Sequence, residues 1–288
     1  MESYLPVLYA ILALGGLGIV FGLLLGVADK KFSVEMDERV SAVRSAVAGA
    51  NCGACGYAGC DGYAEAVVRG EAKTNACTPG GEKTANAIAA IMCVSADVME
   101  PMVARVRCQG NCENVTLRYD YDGIPSCRAA SGISGGPTAC EFGCVGLGDC
   151  VSRCPFHAIS MQNGVAVIDG DICTGCGICV AACPRGIIQM MPLDQTIVVM
   201  CRNEAIGRIA RLQCKTACVG CKRCEKQCPS DSIHVVKGVA LIDEKTCTRC
   251  GACILACPMH CIVNFYEHDL TGEAAATAQA ELLDMEAE

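Results

Sequence analysis

Residues 173–184 read CTGCGICVAACP, four cysteines within eleven positions, and the run returns at residues 247–258 as CTRCGACILACP. Cys173, Cys176, Cys179 and Cys183 fall on Cys247, Cys250, Cys253 and Cys257, each 74 residues later, and upstream Cys150 and Cys154 fall on Cys224 and Cys228 at the same offset. Cys154, Cys183, Cys228 and Cys257 are each followed by proline. Between the cysteine runs, AISMQNGVAVIDGD (158–171) matches SIHVVKGVALIDEK (232–245). The alternating apolar pattern around a central glycine predicts a short β-hairpin. Each repeat is thus a cysteine run, a hairpin, a second cysteine run and a short helix.

The rest of the composition asks what so many thiols are for. The 288 residues include 27 cysteines but no Trp, five Phe and seven Tyr. So few aromatics leave ordinary packing weak, which calls for disulfides, zinc or iron–sulfur clusters as cross-links. Leu5 to Ala28 carries no charge over 24 residues, long enough for a bilayer core. The start, Met1-Glu2, lacks the basic region of a cleavable signal, and Lys30-Lys31 follows the span. This predicts a retained single-pass anchor in the cell membrane with the cysteine-rich remainder on the cytoplasmic side; the alternative is a buried core helix. A reducing cytoplasm disfavours a disulfide framework. Gly18, Gly22 and Gly26 share a helix face that another transmembrane helix could approach. The net charge of −8 argues against nucleic acid, and no phosphate-binding glycine loop is present: Gly15, Gly16 and Gly18 lie inside the apolar span.

The C-x2-C-x2-C-x3-C-P run, used twice per unit, resembles the bacterial two-cluster ferredoxin, whose fourth cysteine ligates the other cluster. Four zinc-binding cysteines would more often split into two separated pairs. The resemblance implies two tandem modules. In the second, Cys218, Cys221, Cys224 and Cys257 hold one [4Fe-4S] cluster and Cys228, Cys247, Cys250 and Cys253 hold its partner. In the first, Cys154, Cys173, Cys176 and Cys179 follow the rule. The remaining site departs from it, because Leu147 stands where Cys221 would be. Cys140 is expected to supply the missing thiolate, joining Cys144, Cys150 and Cys183, unless the site is degraded or three-iron. Cys214, the offset partner of Cys140, is then spare.

Upstream, Val40, Val43 and Val47 mark one face of a helix over 36–50. NCGACGYAGC follows, with Cys52, Cys55 and Cys60, then Cys77 before Pro79. Zinc is one reading of these four. The spacing also resembles the small single-cluster domain found in corrinoid iron–sulfur proteins, which implies a [4Fe-4S] cluster. Cys93, Cys108, Cys112 and Cys127 form either a sixth site or buried thiols; Cys201 and Cys261 read as structural. His157, His234, His260 and His268 are scattered and read as surface or packing residues.

The order of anchor, ADKKFSVEMDERV, NCGACGYAGC and ferredoxin repeats resembles the iron–sulfur B-subunit family of the Rnf complex, an ion-translocating ferredoxin:NAD oxidoreductase, over residues 1 to about 265. That resemblance implies an α+β chain: a transmembrane anchor (1–29), a small helical [4Fe-4S] domain (30–92), a cysteine-containing connection (93–135), ferredoxin modules at 136–198 and 199–266, and an acidic tail (267–288). It implies five clusters, a sixth remaining open, and an electron-transfer role within an enzyme complex, with no complete active site on this chain. Soluble ferredoxin, the other membrane and peripheral subunits, and the bilayer are the implied partners. A polyferredoxin-like subunit of a hydrogenase or formate dehydrogenase, and a zinc-bound structural protein, are the competing readings.

Overall fold

The computed structural model describes residues 5–32, 37–96 and 100–265. The tail expected at 267–288, with His268, lies outside the described residues. Helix α1 (Leu5–Phe32) spans 28 residues. Its side chains are described without a break only from 12 to 28, and those from 12 to 27 are exposed. Counted over the described residues, no helix is long and apolar enough to cross a membrane. The helix is there, but the membrane crossing expected of it is not shown.

Helices α2 (Glu38–Ala46), α3 (Cys60–Val68) and α4 (Gly81–Met92) form a small helical unit. Asp37 caps α2 by accepting the Arg39 amide N–H at 2.9 Å, satisfying a donor that the first turn leaves open. Val43 and Val47, one turn apart, are buried with Tyr63, Val67 and Ile88. Each such side chain contributes about 1.5–3 kcal/mol by leaving water. The Tyr63 hydroxyl donates to the Lys73 and Thr74 carbonyls at 2.8 and 3.1 Å, which ties down the loop leading to Cys77.

The two ferredoxin modules share one plan. The first uses β1 (Met102–Val106), α6 (Asp149–Arg153), β2 (Ile159–Gln162), β3 (Val165–Ile168), α7 (Ile178–Ala182) and β4 (Ile188–Pro192), with α5 (Cys127–Ser131) in the loop after β1. The second uses β5 (Ile197–Val199), α8 (Gly207–Gln213), α9 (Arg223–Gln227), β6 (Ile233–Val236), β7 (Val239–Ile242), α10 (Ala252–Leu255) and β8 (Ile262–Asn264). The predicted hairpins are present, with Ile159 opposite Ile168 and Ile233 opposite Ile242. Asn163-Gly164 and Lys237-Gly238 turn them with both residues at positive φ, as a two-residue hairpin of this hand requires. A second antiparallel pair closes each module: β1 with β4 and β5 with β8. The boundaries therefore shift from those read in the sequence. The 93–135 segment is not only a connection, because β1 completes the first module's sheet, and β5 opens the second module at Ile197.

Apolar faces of these strands line each module's interior: Ala104, Val106, Ile159, Ile168 and Ile188 in one, Ile197, Val199, Ile233, Ala240 and Ile262 in the other. Between modules, Met191, Val198, Met200 and Val263 pack together. Arg105, fully buried, lies 3.5 Å from the centre of the Phe265 ring. Arg107 reaches from the end of β1 into the second module, donating to the Val199 and Cys201 carbonyls at 3.3 and 3.2 Å.

The cysteine loop of each module rides on the tip of its hairpin. A Cβ at Gly146 would lie 2.8 Å from the Gly164 carbonyl oxygen, and one at its repeat partner Gly220 would lie 3.0 Å from that of Gly238. Both glycines also sit at positive φ, 88° and 68°. Gly146→Ala and Gly220→Ala are each expected to cost about 1–3 kcal/mol, measured as a lower midpoint of anaerobic thermal unfolding. An unchanged midpoint would show that the loop can lift off the hairpin freely.

Candidate metal centres

Proline decides where one thiol of each module set goes. The short helices α6, α7 and α9 each stop at a cysteine that precedes proline, and a residue before proline is pushed out of the helical region. Cys154, Cys183 and Cys228 accordingly adopt extended backbone, with ψ of 108°, 111° and 116°. The turn carries each thiol away from its own run and toward the opposite cysteine run.

Four cavities follow. Cys154 joins Cys173, Cys176 and Cys179 around one. Cys228 joins Cys247, Cys250 and Cys253 around a second. Cys257 joins Cys218, Cys221 and Cys224 around a third, with Cys261 at its wall. These are the groupings the ferredoxin resemblance implies. The fourth differs: Cys144, Cys150 and Cys183 are joined by Cys127, not Cys140. The thiol missing at Leu147 comes from α5, on a loop remote in sequence. Asp149 anchors that loop: its carboxylate accepts from the Cys127 and Arg128 amides at 3.0 and 3.1 Å and from the Ser126 hydroxyl at 3.0 Å. Cys140 instead lines a fifth cavity with Cys108, Cys201 and Cys214, between the modules, and Cys144 borders this cavity as well as its own.

The set Cys93, Cys108, Cys112 and Cys127 is therefore dispersed. Cys93 is exposed at the end of α4, Cys112 is exposed against the first hairpin turn, and the other two line different cavities. Even spacing along the chain suggests a group; the tertiary fold does not make one. In the helical unit, Cys55, Cys60 and Cys77 share the core around Tyr57 and Tyr63. The Asn51 side-chain oxygen accepts the Cys60 amide N–H at 2.9 Å, which fixes the start of α3. Cys52 lies on the side of Cys176, close enough for their charges to interact. His157, His234 and His260 are exposed, and no histidine lines a cysteine cavity among the described residues.

The donor chemistry suits a polynuclear group. Zinc needs its sulfurs about 2.3 Å from one point. Among the described residues no three His, Cys, Asp or Glu side chains converge on a single ion in that way. Here at least four cysteines line each space, a donor set that a thiolate-held iron–sulfur group uses. Burial pushes the Cys150, Cys179 and Cys253 thiols up to about 12, and neighbouring cysteine charges add to the effect. Such thiols become thiolates only beside a strong positive centre.

Three individual thiols are biased the other way. Cys261 hydrogen-bonds to the sulfurs of Cys218 and Cys257, lying 3.5 Å from the latter, and holds them down to about 6 and about 5. At Cys228 burial acts upward, but the Ser232 and Ser230 hydroxyls at 3.3 and 3.6 Å prevail and bring it to about 7.

Residues 48–79 match the family described as "Putative Fe-S cluster", and 140–188, 172–233 and 217–262 match the 4Fe-4S dicluster domain. The chain is 39% identical to the B subunit of the ion-translocating oxidoreductase complex of Methanosarcina acetivorans, over 88% of this chain and 96% of that protein. It is 43% identical to the B subunit of the Na(+)-translocating ferredoxin:NAD(+) oxidoreductase complex of Acetobacterium woodii, over 88% and 77%. The proton-translocating counterpart of Clostridium ljungdahlii is 40% identical over 84% and 87%.

The Cys127 assignment has a direct check. Cys127→Ser should lower bound iron by up to about four atoms per chain, and adding Leu147→Cys, at the position matching Cys221, should restore it. Iron unchanged in Cys127→Ser would remove Cys127 from the site. Taken together, the cysteine cavities and the relatives place this chain in the B-subunit family of ion-translocating oxidoreductase complexes, the Rnf type.

Proposed function

We propose that this chain is the electron-transfer subunit of a membrane-bound, ion-translocating ferredoxin:NAD oxidoreductase complex. The observation that carries this reading is a series of cavities ringed by four cysteines, inside a chain similar over most of its length to subunits of that name. Five sets would hold [4Fe-4S] clusters: Cys52, Cys55, Cys60 and Cys77; Cys127, Cys144, Cys150 and Cys183; Cys154, Cys173, Cys176 and Cys179; Cys218, Cys221, Cys224 and Cys257; and Cys228, Cys247, Cys250 and Cys253. When bound, such clusters supply low-potential one-electron carriers.

The chain's own residues shape that role. Each module set has one or more buried cysteines, Cys150, Cys179, Cys224 and Cys253 among them, while Cys221 and Cys250 face solvent, and backbone N–H, Ser232 and Cys261 groups lie against chosen sulfurs, where they would stabilise negative charge. The described residues offer no flavin or nicotinamide site, so those, and the path for the ion, belong to the other subunits. Soluble ferredoxin is the electron donor or acceptor. Helix α1 is the anchor: Leu12, Leu14, Ile19, Leu23 and Leu25 are exposed and none of the described residues covers them, which suits lipid or another membrane helix. Lys30 and Lys31 in its last turn set the cysteine-rich part on the cytoplasmic side.

Anaerobically purified protein is expected to carry at least about twenty iron and twenty sulfide atoms per chain, with a visible charge-transfer band bleached by reduced ferredoxin. Zinc in place of iron would overturn the reading. In inside-out vesicles an added protease should digest the cysteine-rich part; complete protection would reverse the topology.

A further inference from the structure

We propose that Cys108, Cys140, Cys201 and Cys214 hold a sixth [4Fe-4S] cluster between the two ferredoxin modules, each module lending two of its four ligands. The inference rests on the reading of the other cavities as cluster sites, and extends it to a site formed between the two modules.

All four cysteines line one cavity, which Cys144 of the neighbouring set also borders, and all four are buried, at 8%, 6%, 7% and 7% exposure. The cavity is built with the symmetry of the repeat. Cys140 and Cys214 are partners at the 74-residue offset. Cys108 and Cys201 are not, yet each follows the first strand of its module, and each is held alike. The Cys108 sulfur accepts the amide N–H of Gly110 and of Cys144, both at 3.3 Å. The Cys201 sulfur accepts the amide N–H of Asn203 at 3.4 Å and of Cys218 at 3.3 Å. Cys144 and Cys218 are themselves offset partners. Paired N–H donors aimed at one sulfur stabilise negative charge there, as a thiolate ligand needs and an inert buried thiol does not.

The surroundings hold the thiols at that spacing. The backbone at Gly143 passes close to both sulfurs: a Cβ there would lie 3.4 Å from that of Cys140 and 3.5 Å from that of Cys108. Arg185 and Thr138 fix the Cys140 carbonyl, both at 2.9 Å. Val115 pairs antiparallel with Cys214, and Arg107 donates to the Cys201 carbonyl. The position also has a consequence for the array. Cys144 belongs to the first module's set with Cys127, Cys150 and Cys183, and Cys218 to a set of the second. One peptide N–H therefore joins this site to a neighbouring set on each side.

Iron and sulfide analysis of the whole chain, purified or reconstituted without oxygen, tests the site. We expect about twenty-four of each per chain rather than about twenty. Cys201→Ser and Cys214→Ser, neither in any other set, should each lose about four, while Cys93→Ser and Cys112→Ser lose none. If the two site variants fail to fold, the count in the unaltered chain still decides, because Cys93, Cys112 and Cys261 alone make no further site. About twenty iron atoms in the unaltered chain, or iron unchanged in both site variants, overturns the sixth site and leaves the proposed function standing. Iron far below twenty overturns both.

Discussion

A buried thiol packs like a small hydrophobe and, alone, joins nothing. In the two ferredoxin modules every cysteine except Cys112 lines a cavity with at least three others, and these cavities lie between the elements instead of inside them. Strands of three to five residues and helices of four to seven supply little packing of their own. The fold thus depends on whatever spans the sulfurs. Proline placement, hairpin register and glycine contacts all serve to bring four sulfur atoms around one space. Two buried arginines tie the modules together, Arg105 against the Phe265 ring and Arg107 through the Val199 and Cys201 carbonyls.

Much of this was legible because it is local and periodic. The 74-residue offset, the Cys-Pro endings and the hairpin signal are short-range features whose geometry is set by a few neighbouring residues. Three of the four module cavities follow from them. What the chain did not disclose is long-range. Leu147 announced a missing ligand, but nothing nearby named Cys127, because the tether is Asp149, which binds a loop more than twenty positions away. The interval from Cys108 to Cys140 is longer than that from Cys201 to Cys214, and the extra length is the loop that carries Cys127. Taking Cys214 as spare discards the better clue: Cys140 and Cys214 are equivalent by offset, and the fold gives them equivalent places. Cys108 and Cys201 share no offset, and only the fold shows their kinship.

The repeat is faithful in its scaffold and unfaithful in its polar detail. Cys261 and Ile187 occupy corresponding positions, so only one module places a thiol against two sulfurs of a single set. Ser230 and Ser232 face Cys228, where the first module has Phe156 and Ala158 near Cys154. Hydrogen bonds to sulfur raise a cluster's potential. A duplicated framework has thereby been given dissimilar electrostatics, which is how one architecture acquires an internal gradient.

The exchange of one cysteine between the two runs of each module has a further meaning for the life of the protein in the cell. Neither run can complete its own site, so assembly is reciprocal: a chain that fails to acquire one centre leaves a strut missing from the other as well. Damage by oxygen at a single position would loosen an entire half-molecule and open it to proteolytic clearance. The crossing therefore makes the completeness of each site in a module a condition for the other.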